Sequence, residues 1–345
     1  MQKIIREKKV YIFSGGQTGK LVADFLINNL KIKPHLIIDN FKKGKYKNIK
    51  FTSEKKIFKN DDICIVGLYN NYLSMIDIQE KLKKKFKKVF NIIEFKNCFD
   101  KFQLDYWLTK KSKRLLLLKK EKIFNKFFSD RESKQLLLRI LNFRLTGQKK
   151  FDIKPEKNIY FSFKKKFPKT LEVLDCGSYR GEFIDKLYKN KFDIKKAICI
   201  EPDKKNFKYL KKKFKKKDNI KLINAVVGIT GKDIGFDFKG GDNGRIDNLK
   251  KTKIKCYDLK NLYNTNINII KLDIEGFENF FLKSINKLIL TKKPIILISV
   301  YHYNLDIVSN IKLMRKYKSY YDFYMRTHEF NTFGTIIYCI PKKII

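Results

Sequence analysis

The second half of the chain carries glycines and acidic residues whose spacing could bind a nucleoside. The apolar stretch 171–174 runs into Asp175-Cys176-Gly177-Ser178-Tyr179-Arg180-Gly181, which has the form D-x-G-x-x-x-G. Glycines in such a turn let the backbone approach a ligand closely. Glu201 ends the next apolar stretch, 26 residues after Asp175, where an acidic side chain bonds ribose hydroxyls. The combination predicts a nucleoside ligand, and the alternative is a tight turn followed by an acid that caps a helix.

A second acidic group follows a later apolar stretch. Asp273, Glu275 and Glu278 lie in the run D-I-E-G-F-E after residues 269–272, and His302 follows the apolar stretch 294–301. Parallel α/β sheets bind ligands at the carboxyl ends of their strands, where we expect Asp273 and Glu275. Carboxylates and an imidazole can take a proton from a reacting hydroxyl. Glu278 is expected to open the next helix, where negative charge is favourable.

An alternation of strands and helices must position these residues. Strands are predicted at residues 170–175, 196–201, 220–227, 267–273 and 294–301, followed by two aromatic, β-branched runs at 320–326 and 334–340. Such alternation indicates a parallel sheet with right-handed crossovers, and the last two runs suggest an antiparallel pair. The fold class is therefore α/β, with the parallel strands and terminal antiparallel hairpin of a class I methyltransferase sheet.

Together these motifs resemble the FkbM-type S-adenosylmethionine-dependent methyltransferases. The resemblance rests on K-x-D-I-E-G-x-E at 271–278, on D-x-G-x-x-x-G and E-P-D upstream, and on the order and spacing of 298–302 and 321–326. It covers about residues 125–341 and implies methyl transfer to a hydroxyl, often on a sugar or a natural-product scaffold. We therefore expect a cytoplasmic O-methyltransferase that acts on a sugar of a surface glycan, a glycolipid or a nucleotide sugar.

The resemblance also implies roles for individual residues around S-adenosylmethionine. The residues carried over as cofactor-binding are Asp175, Gly177, Ser178 and Gly181 at the methionine end, Glu201 at the ribose, Asn224 on the adenine side, and Asp273, which borders the reacting centre. A hydroxyl is a poor nucleophile until a base takes its proton. The candidate bases, in order of preference, are Glu275, His302 and Asp273. The alternative for His302 is a hydrogen bond to a backbone carbonyl.

The segment 239–246 departs from the resemblance. Relatives often carry a Gly/Ser-rich loop near the acceptor there, whereas this chain has Asp242 and Arg245, so the acceptor cannot be carried over. Clustered carboxylates suit Mg²⁺ or Ca²⁺, which leaves a metal role for Asp242, Asp273 and Glu275 open. The chain has three histidines and six cysteines that are all at least 22 residues apart. We therefore predict no dedicated metal site and no disulfide frame, but buried free thiols in a reducing compartment.

Residues 1–100 show an α/β pattern of their own. Strands are predicted at 10–13, 35–39, 62–69 and 89–95, with helices at 17–29 and 72–88. The turn S-x-G-x-x-G, with Gly16 and Gly19, and Asp39 at the end of the next strand fit a dinucleotide fingerprint. This part resembles the small Rossmann-like domains attached to sugar-modifying enzymes, some of which bind nucleotide sugars. The alternative is a docking domain with an empty glycine turn.

Residues 101–155 are predicted to form a helical bridge between the two α/β parts. Ser129 and Glu132 have the spacing of a capping box, and apolar residues between 136 and 143 suit a buried helical stripe. Gly147 is expected to end the helix in a left-handed conformation. The methyltransferase domain then spans residues 156–345.

Composition limits the possible partners. With 345 residues, 43% of them hydrophobic, the chain can form two domains, and its apolar stretches are shorter than the roughly 18–20 residues of a membrane span. Its first ten residues lack the apolar core of a signal peptide. The net charge of +44 comes from lysines spread along the chain, which favours a compositional bias over a dedicated nucleic acid partner. Peripheral contact with an anionic membrane surface remains open.

Two further functions stay open at this point. One is an RNA or DNA methyltransferase, which the net charge favours. Methylation of base amino groups, however, usually requires N/D-P-P-Y/F where this chain has D-I-E-G. The other is a non-catalytic protein that binds a nucleotide sugar through the first domain. The first domain has no Tyr-x-x-x-Lys dyad, so we do not predict hydride transfer.

Overall fold

The computed structural model describes residues 1–102, 104, 126–227, 234–237, 245–246, 253–303 and 306–342. The chain divides into two compact units. Unit 1 consists of residues 1–121, 135–156 and 327–334, and unit 2 consists of residues 122–134, 157–326 and 335–345. The described residues of the predicted helical bridge are therefore shared between the two units.

Unit 1 is built on a six-stranded sheet. Its helices are α1 (Gln2–Glu7), α2 (Gln17–Leu30), α3 (Met75–Leu82) and α4 (Ile92–Cys98), and its strands are β1 (Val10–Phe13), β2 (Leu36–Ile38), β3 (Lys45–Tyr46), β4 (Ile49–Thr52), β5 (Asn60–Val66) and β6 (Phe86–Asn91). The strand order is β3-β4-β2-β1-β5-β6, parallel except for β3. The parallel sheet predicted for this part is therefore present. Fully buried Ile12, Ile37 and Ile65 come from three adjacent central strands of its core.

The last predicted strand of unit 1, residues 89–95, is wrong in its second half. The strand ends at Asn91, and α4 begins with the next residue. The Asn91 side chain accepts hydrogen bonds from the backbone of Ile93 and Glu94, and the Glu94 carboxylate accepts from the backbone N–H of Asn91. This capping box turns an apolar run with no glycine or proline into a helix start.

Helix α5 (Arg131–Thr146) begins in unit 2 and continues into unit 1. The predicted capping box of Ser129 and Glu132 is wrong, because Asp130 accepts the hydrogen bond from the backbone N–H of Ser133. Ser129 instead bonds Asp322 and the backbone N–H of Phe323. The C-terminal prediction is confirmed: Gly147 has a φ of +65° and its N–H donates to the carbonyl of Phe143.

Unit 2 is built on a seven-stranded sheet. Its helices are α6 (Glu182–Lys189), α7 (Lys204–Lys213), α8 (Glu278–Ser284), α9 (Asn286–Lys292) and α10 (Asp306–Met314), and its strands are β7 (Thr170–Cys176), β8 (Asp193–Ile200), β9 (Ile220–Ile223), β10 (Val226–Val227), β11 (Ile234–Asp237), β12 (Arg245–Ile246), β13 (Lys253–Ile254), β14 (Cys256–Tyr257), β15 (Ile269–Leu272), β16 (Ile295–Ser299), β17 (Tyr321–Thr327) and β18 (Thr335–Pro341). The sheet order is β17-β18-β16-β15-β7-β8-β9. The five strands from β16 to β9 are parallel, as the sequence predicts. The two terminal strands β17 and β18 are neighbours in the sheet, and β18 is antiparallel to β16.

The predicted third strand of this sheet, residues 220–227, is interrupted. Strand β9 ends at Ile223, and β10 pairs with β14 outside the main sheet. The side chain of Asn224, at the break, donates to the carbonyls of Glu201 and Pro202. A local side-chain contact of this kind competes with the strand ladder, and the hydrophobic pattern does not reveal it.

The cysteines and the helices bear on the predicted buried thiols and on the predicted lack of a membrane span. All six cysteines are free thiols, and five are buried as expected, whereas Cys98 is exposed. Among the helices that the structure describes, none is long and apolar enough to cross a bilayer.

Candidate functional site

A buried ion pair connects two strands of the unit 2 sheet at its carboxyl edge. The register of β15 and β7 places Lys271 directly beside Asp175, with the Nζ atom 3.2 Å from Oδ1. Burial raises the pKa of Asp175 in spite of this neighbour. Burial opposes the charge on Lys271, but the carboxylates of Asp175 and Asp273 outweigh it and raise the lysine pKa. Lys271 also donates to the carbonyl of Gly177, so it ties the glycine turn to β15.

The glycine turn of the D-x-G-x-x-x-G motif is held by the protein itself. A Cβ atom on Gly177 would lie 1.9 Å from the carbonyl oxygen of Asp273, and one on Gly181 would lie 2.5 Å from the ring of Phe214. Both glycines have φ angles near +75°. Ser178 is buried, and its hydroxyl donates to the carbonyl of Asp175. Internal packing is therefore one reason for these residue types, whatever ligand the turn binds.

Glu201 lies at the end of β8, next to the glycine turn. Its carboxylate accepts hydrogen bonds from the backbone N–H groups of Tyr179, at 2.7 Å, and Asp203, at 2.9 Å. Burial raises its pKa to about 7, although these two donors favour the charged form. Asn224 supports the same segment through its hydrogen bond to the Glu201 carbonyl. The structure thus brings Glu201 and Asn224 together at the edge where the sequence places a ribose.

Asp273 is the centre of a hydrogen-bonded cluster at the end of β15. Its Oδ1 accepts from the hydroxyl of Tyr301 at 2.9 Å and lies 3.0 Å from Nε2 of His302. Its Oδ2 accepts from the hydroxyl of Tyr160 at 2.7 Å. Burial opposes ionisation of Asp273, but the contacts with His302, Lys271 and Tyr160 outweigh it and lower the pKa of this carboxyl. Asp273 is therefore an ionised carboxylate that accepts several hydrogen bonds and has a low affinity for protons.

His302 is surrounded by carboxyl groups on both sides of its ring. Besides the Asp273 contact, Nε2 lies 3.4 Å from Oε1 of Glu278, and Nδ1 lies 3.5 Å from Oε2 of Glu275. Burial opposes the charged ring, but Glu275, Glu278 and Asp273 outweigh it and raise the His302 pKa to about 10. The partners of His302 are therefore these three acidic side chains, and not the backbone carbonyl of the alternative prediction.

Glu275 and Gly276 form a turn of unusual backbone conformation. The φ angle of Glu275 is +57° and that of Gly276 is +94°. A Cβ on Gly276 would collide with the ring of Tyr303, at 2.0 Å. Left-handed conformations are unfavourable for residues such as glutamate, and they concentrate at functional sites where the surroundings enforce them. This turn places the half-buried Glu275 beside the imidazole of His302.

Glu278 begins α8, as the sequence predicts, but it also belongs to the cluster. It is fully buried, its Oε1 accepts from the backbone N–H of Ile274, and its Oε2 has no hydrogen-bond partner in the described structure. Burial raises its pKa to about 7 against the effect of His302. This role of Glu278 was not predicted, nor were the roles of Lys271, Tyr160 and Tyr301. Lys271 stands within an apolar strand and Tyr301 within the run 298–302, whereas Tyr160 lies outside every motif.

The remaining predicted residues lie elsewhere. Asp242 is outside the described residues, and Arg245 lies in the short strand β12. In unit 1, Gly16 is the N-cap of α2 and Gly19 packs on the carbonyl of Ser14. The Asp39 carboxylate accepts from the backbone N–H groups of residues 15, 41 and 42. These contacts favour the alternative of a glycine turn that the chain itself closes, and the nucleotide site there stays a prediction.

Comparison with known proteins relates the part of the chain that holds these residues to a methyltransferase family. Residues 175–325 match the family model described as the methyltransferase FkbM domain. The structure of methyltransferase FkbM from Methylobacillus flagellatus KT aligns with a TM-score of 0.76 and 19% identity, over 98% of this chain and 92% of that one.

Two other solved structures are similar at a lower level. The S-adenosylhomocysteine-bound methyltransferase PaMTH1 of Podospora anserina has 14% identity and a TM-score of 0.30, over 69% of this chain and 91% of that one. An rRNA methylase of Streptococcus thermophilus has 12% identity and a TM-score of 0.36, over 55% of this chain and 100% of that one. No curated protein matches the sequence significantly. The resemblance read from the motifs is confirmed by the family model of the methyltransferase FkbM domain, which matches residues 175–325.

Proposed function

We propose that the chain transfers a methyl group from S-adenosylmethionine to a hydroxyl, on a sugar of a surface glycan, a glycolipid or a nucleotide sugar. One observation carries the proposal. The acidic cluster around His302 and the carboxylate of Glu201 follow strands of the same parallel sheet at its carboxyl edge, within the matched domain. α/β sheets bind their ligands at this edge.

The residues at this edge fit S-adenosylmethionine by charge and by hydrogen bonding. Glu201 would accept hydrogen bonds from the ribose hydroxyls, because each carboxylate oxygen has a second lone pair beyond its backbone bond. Asp273 and Glu275 would attract the cationic amino and sulfonium groups of the methionine end. When bound, the cofactor supplies an electrophilic methyl group on its sulfur. The Ser178 hydroxyl donates to the Asp175 carbonyl, so only the lone pairs of its oxygen would be left to accept from the cofactor.

Glu275 is the residue we assign as the proton acceptor. A protonated His302 has no lone pair to offer, and its pKa of about 10 keeps it protonated near neutral pH. The lowered pKa of Asp273 makes that carboxylate a weak base. Glu275 is half-buried, and its Oε2 lies 3.5 Å from Nδ1 of His302. The preference for Glu275 over His302 and Asp273 therefore has a physical basis in the charges of the cluster.

The first test is calorimetric titration of S-adenosylmethionine and S-adenosylhomocysteine into the full chain and into Glu201→Gln. The amide keeps the shape but loses one acceptor and the charge, so we expect binding to weaken about tenfold or more. Glu172→Gln, on the same sheet at the start of β7, is the matched control and should bind normally. Asp175→Ala is a poor choice, because it would leave Lys271 buried without its partner. Absence of binding to a folded wild-type chain would contradict the proposal.

The acceptor is tested with a labelled methyl donor and a panel of free sugars, nucleotide sugars, lipid-linked sugars and RNA. We expect label on a sugar hydroxyl. Glu275→Gln should slow transfer about 10²–10⁴-fold and weaken cofactor binding by a much smaller factor. Label on RNA instead would show that the hydroxyl assignment is wrong while the methyltransferase assignment holds.

A further inference from the structure

Three side chains of unit 2 present metal-ligand atoms to one another in a buried position. Asp273, Glu278 and His302 each offer one atom, and these atoms all lie within 4.8 Å of one another. Nε2 of His302 is 3.0 Å from Oδ1 of Asp273 and 3.4 Å from Oε1 of Glu278. Ligand atoms at about 2.0–2.2 Å from one ion are separated by roughly 3–4 Å, so modest shifts would suffice. We propose that Asp273, Glu278 and His302 bind a divalent transition-metal ion.

The orphaned oxygen of Glu278 points to a ligand that the protein does not supply. Glu278 is fully buried, and its Oε2 has no hydrogen-bond partner in the described structure. A buried polar atom without a partner is costly, and natural proteins rarely retain one without a reason. The oxygen that lies near Nε2 of His302 is Oε1, so an ion bound by both oxygens of this carboxylate would satisfy Oε2.

The neighbours of the three ligands have the arrangement that metal sites usually show. The Nδ1 atom of His302 faces Oε2 of Glu275, so a hydrogen bond from Nδ1 to this oxygen would direct Nε2 toward Asp273 and Glu278. The metal-free imidazole is protonated, so the ion would displace the Nε2 proton to solvent and bind the lone pair that is left. The hydroxyls of Tyr160 and Tyr301 fix the Asp273 carboxylate from both oxygens. Ligating histidines generally donate their other nitrogen to such a carboxylate, and ligating carboxylates are themselves hydrogen-bonded.

The charge of the cluster favours a doubly charged ion. Three carboxyl groups, those of Asp273, Glu275 and Glu278, lie within 3.5 Å of the single imidazole. Lys271 is nearby, but its closest carboxylate is Asp175. An imidazolium alone would leave two negative charges in excess when all three carboxyls are ionised.

The donor set indicates the type of ion. Imidazole with carboxylates suits first-row transition ions such as Mn²⁺, Fe²⁺ or Zn²⁺, whereas Mg²⁺ and Ca²⁺ prefer oxygen donors alone. Mn²⁺ is the better probe here, because the exposed thiol of Cys98 would also attract Zn²⁺. The site differs from the one left open by the sequence: Glu278 and His302 replace Asp242 and Glu275.

The experiment is a titration of Mn²⁺ into the full chain after treatment with a chelator, followed by calorimetry and by loss of the free-ion EPR signal. We expect a single saturable site and a rise in melting temperature with Mn²⁺. Glu278→Gln, Asp273→Asn and His302→Gln should each weaken binding about tenfold or more. Glu275→Gln should weaken it less, and Glu172→Gln should leave it unchanged.

Each variant is first checked for folding by circular dichroism, so that loss of binding is not confused with loss of structure. No saturable binding by the folded wild-type chain, or equal affinity in all folded ligand variants, would overturn the metal site. S-adenosylmethionine is titrated separately without metal. Cofactor binding without Mn²⁺ binding would contradict the metal site and leave the methyltransferase proposal intact. Mn²⁺ binding without cofactor binding would support the metal site and contradict the methyltransferase proposal.

Discussion

Lys271 interacts with most of the acidic residues of the candidate site. It forms the ion pair with Asp175, and its charge favours the ionised forms of Asp273 and Glu201. Removing this buried lysine would affect the glycine turn, Glu201 and the acidic cluster together. The register of the parallel strands β15 and β7 places Lys271 next to Asp175. The same register therefore positions the glycine turn after β7 and the acidic cluster after β15 relative to each other.

At the residue scale, the raised pKa of Glu201 predicts that stability and cofactor binding change in opposite directions with pH. Its pKa rises from 4.5 to about 7 on folding because of burial. Between pH 4.5 and about 7 the unfolded chain loses the proton while the folded chain keeps it, so stability falls as the pH rises through this window. Binding of S-adenosylmethionine should strengthen over the same range, because the carboxylate accepts the ribose hydrogen bonds.

Burial also raises the pKa of Glu278 to about 7, so Glu278 contributes to the same pH dependence. Comparison of the wild-type chain with Glu201→Gln separates the contribution of Glu201. The measurements are urea unfolding and calorimetric titration at several pH values. As the pH rises, the unfolding free energy of the wild type should fall relative to that of Glu201→Gln. The affinity of Glu201→Gln for S-adenosylmethionine should change less with pH than that of the wild type. An identical pH dependence of both chains would contradict the assignment.

The candidate site could be predicted in part from residue types. Asp273, Glu275 and His302 follow apolar strands, and the parallel topology brings them together as expected. Tyr160 could not be predicted, because it lies in a segment without a periodic pattern and reaches Asp273 with a φ angle of +73°. Asp175 and Ser178 could be placed at the edge, but their internal contacts depend on side-chain packing that spacing does not encode.

At the scale of elements, the turn between β7 and α6 is held against the end of β15. Gly177 is the contact point, since a methyl group there would lie 1.9 Å from the Asp273 carbonyl. The sequence predicts the strands on either side of this contact, because apolar runs of four to seven residues mark them. It predicts element ends less well, since Asn91 and Asn224 end strands through side-chain hydrogen bonds.

Gly177→Ala and Gly44→Ala separate backbone conformation from close contact. Gly44 has a φ of +82°, and no described atom lies within 4 Å of the position that an added methyl group would take, so its substitution should cost about 1–2 kcal/mol of unfolding free energy. Gly177→Ala adds a backbone collision and should cost more than about 4 kcal/mol. Urea unfolding followed by circular dichroism measures both. Equal costs would show that β15 does not approach the turn this closely.

At the scale of the whole molecule, unit 1 is assembled from three separate parts of the chain. Residues 327–334, which join β17 to β18, belong to it together with residues 1–121 and 135–156. Asn331 is buried there with a φ of +58°, and it bonds the loop before α3. Strand and helix patterns could not predict this arrangement, because the segment lies far along the sequence and has no regular structure of its own beyond one short turn.

Asn331→Ala tests this arrangement in the full chain. The substitution leaves the backbone N–H of Met75 and the carbonyls of Asn70 and Leu73 without their partner. We expect a loss of about 1–3 kcal/mol in unfolding free energy, seen as a lower melting temperature. Asn264→Ala, at an exposed position, is the control and should change little. Equal melting temperatures for the two variants would argue against the arrangement.

The three-part construction of unit 1 also sets the order of events on the ribosome. Domains at the start of a chain usually fold as soon as they leave the exit tunnel. Here the segment containing Asn331 is made after all seven strands of the unit 2 sheet except β18. All six strands of the unit 1 sheet lie within the first 91 residues, so this sheet can form early, whereas the contacts of Asn331 are added only after most of unit 2 has been synthesised.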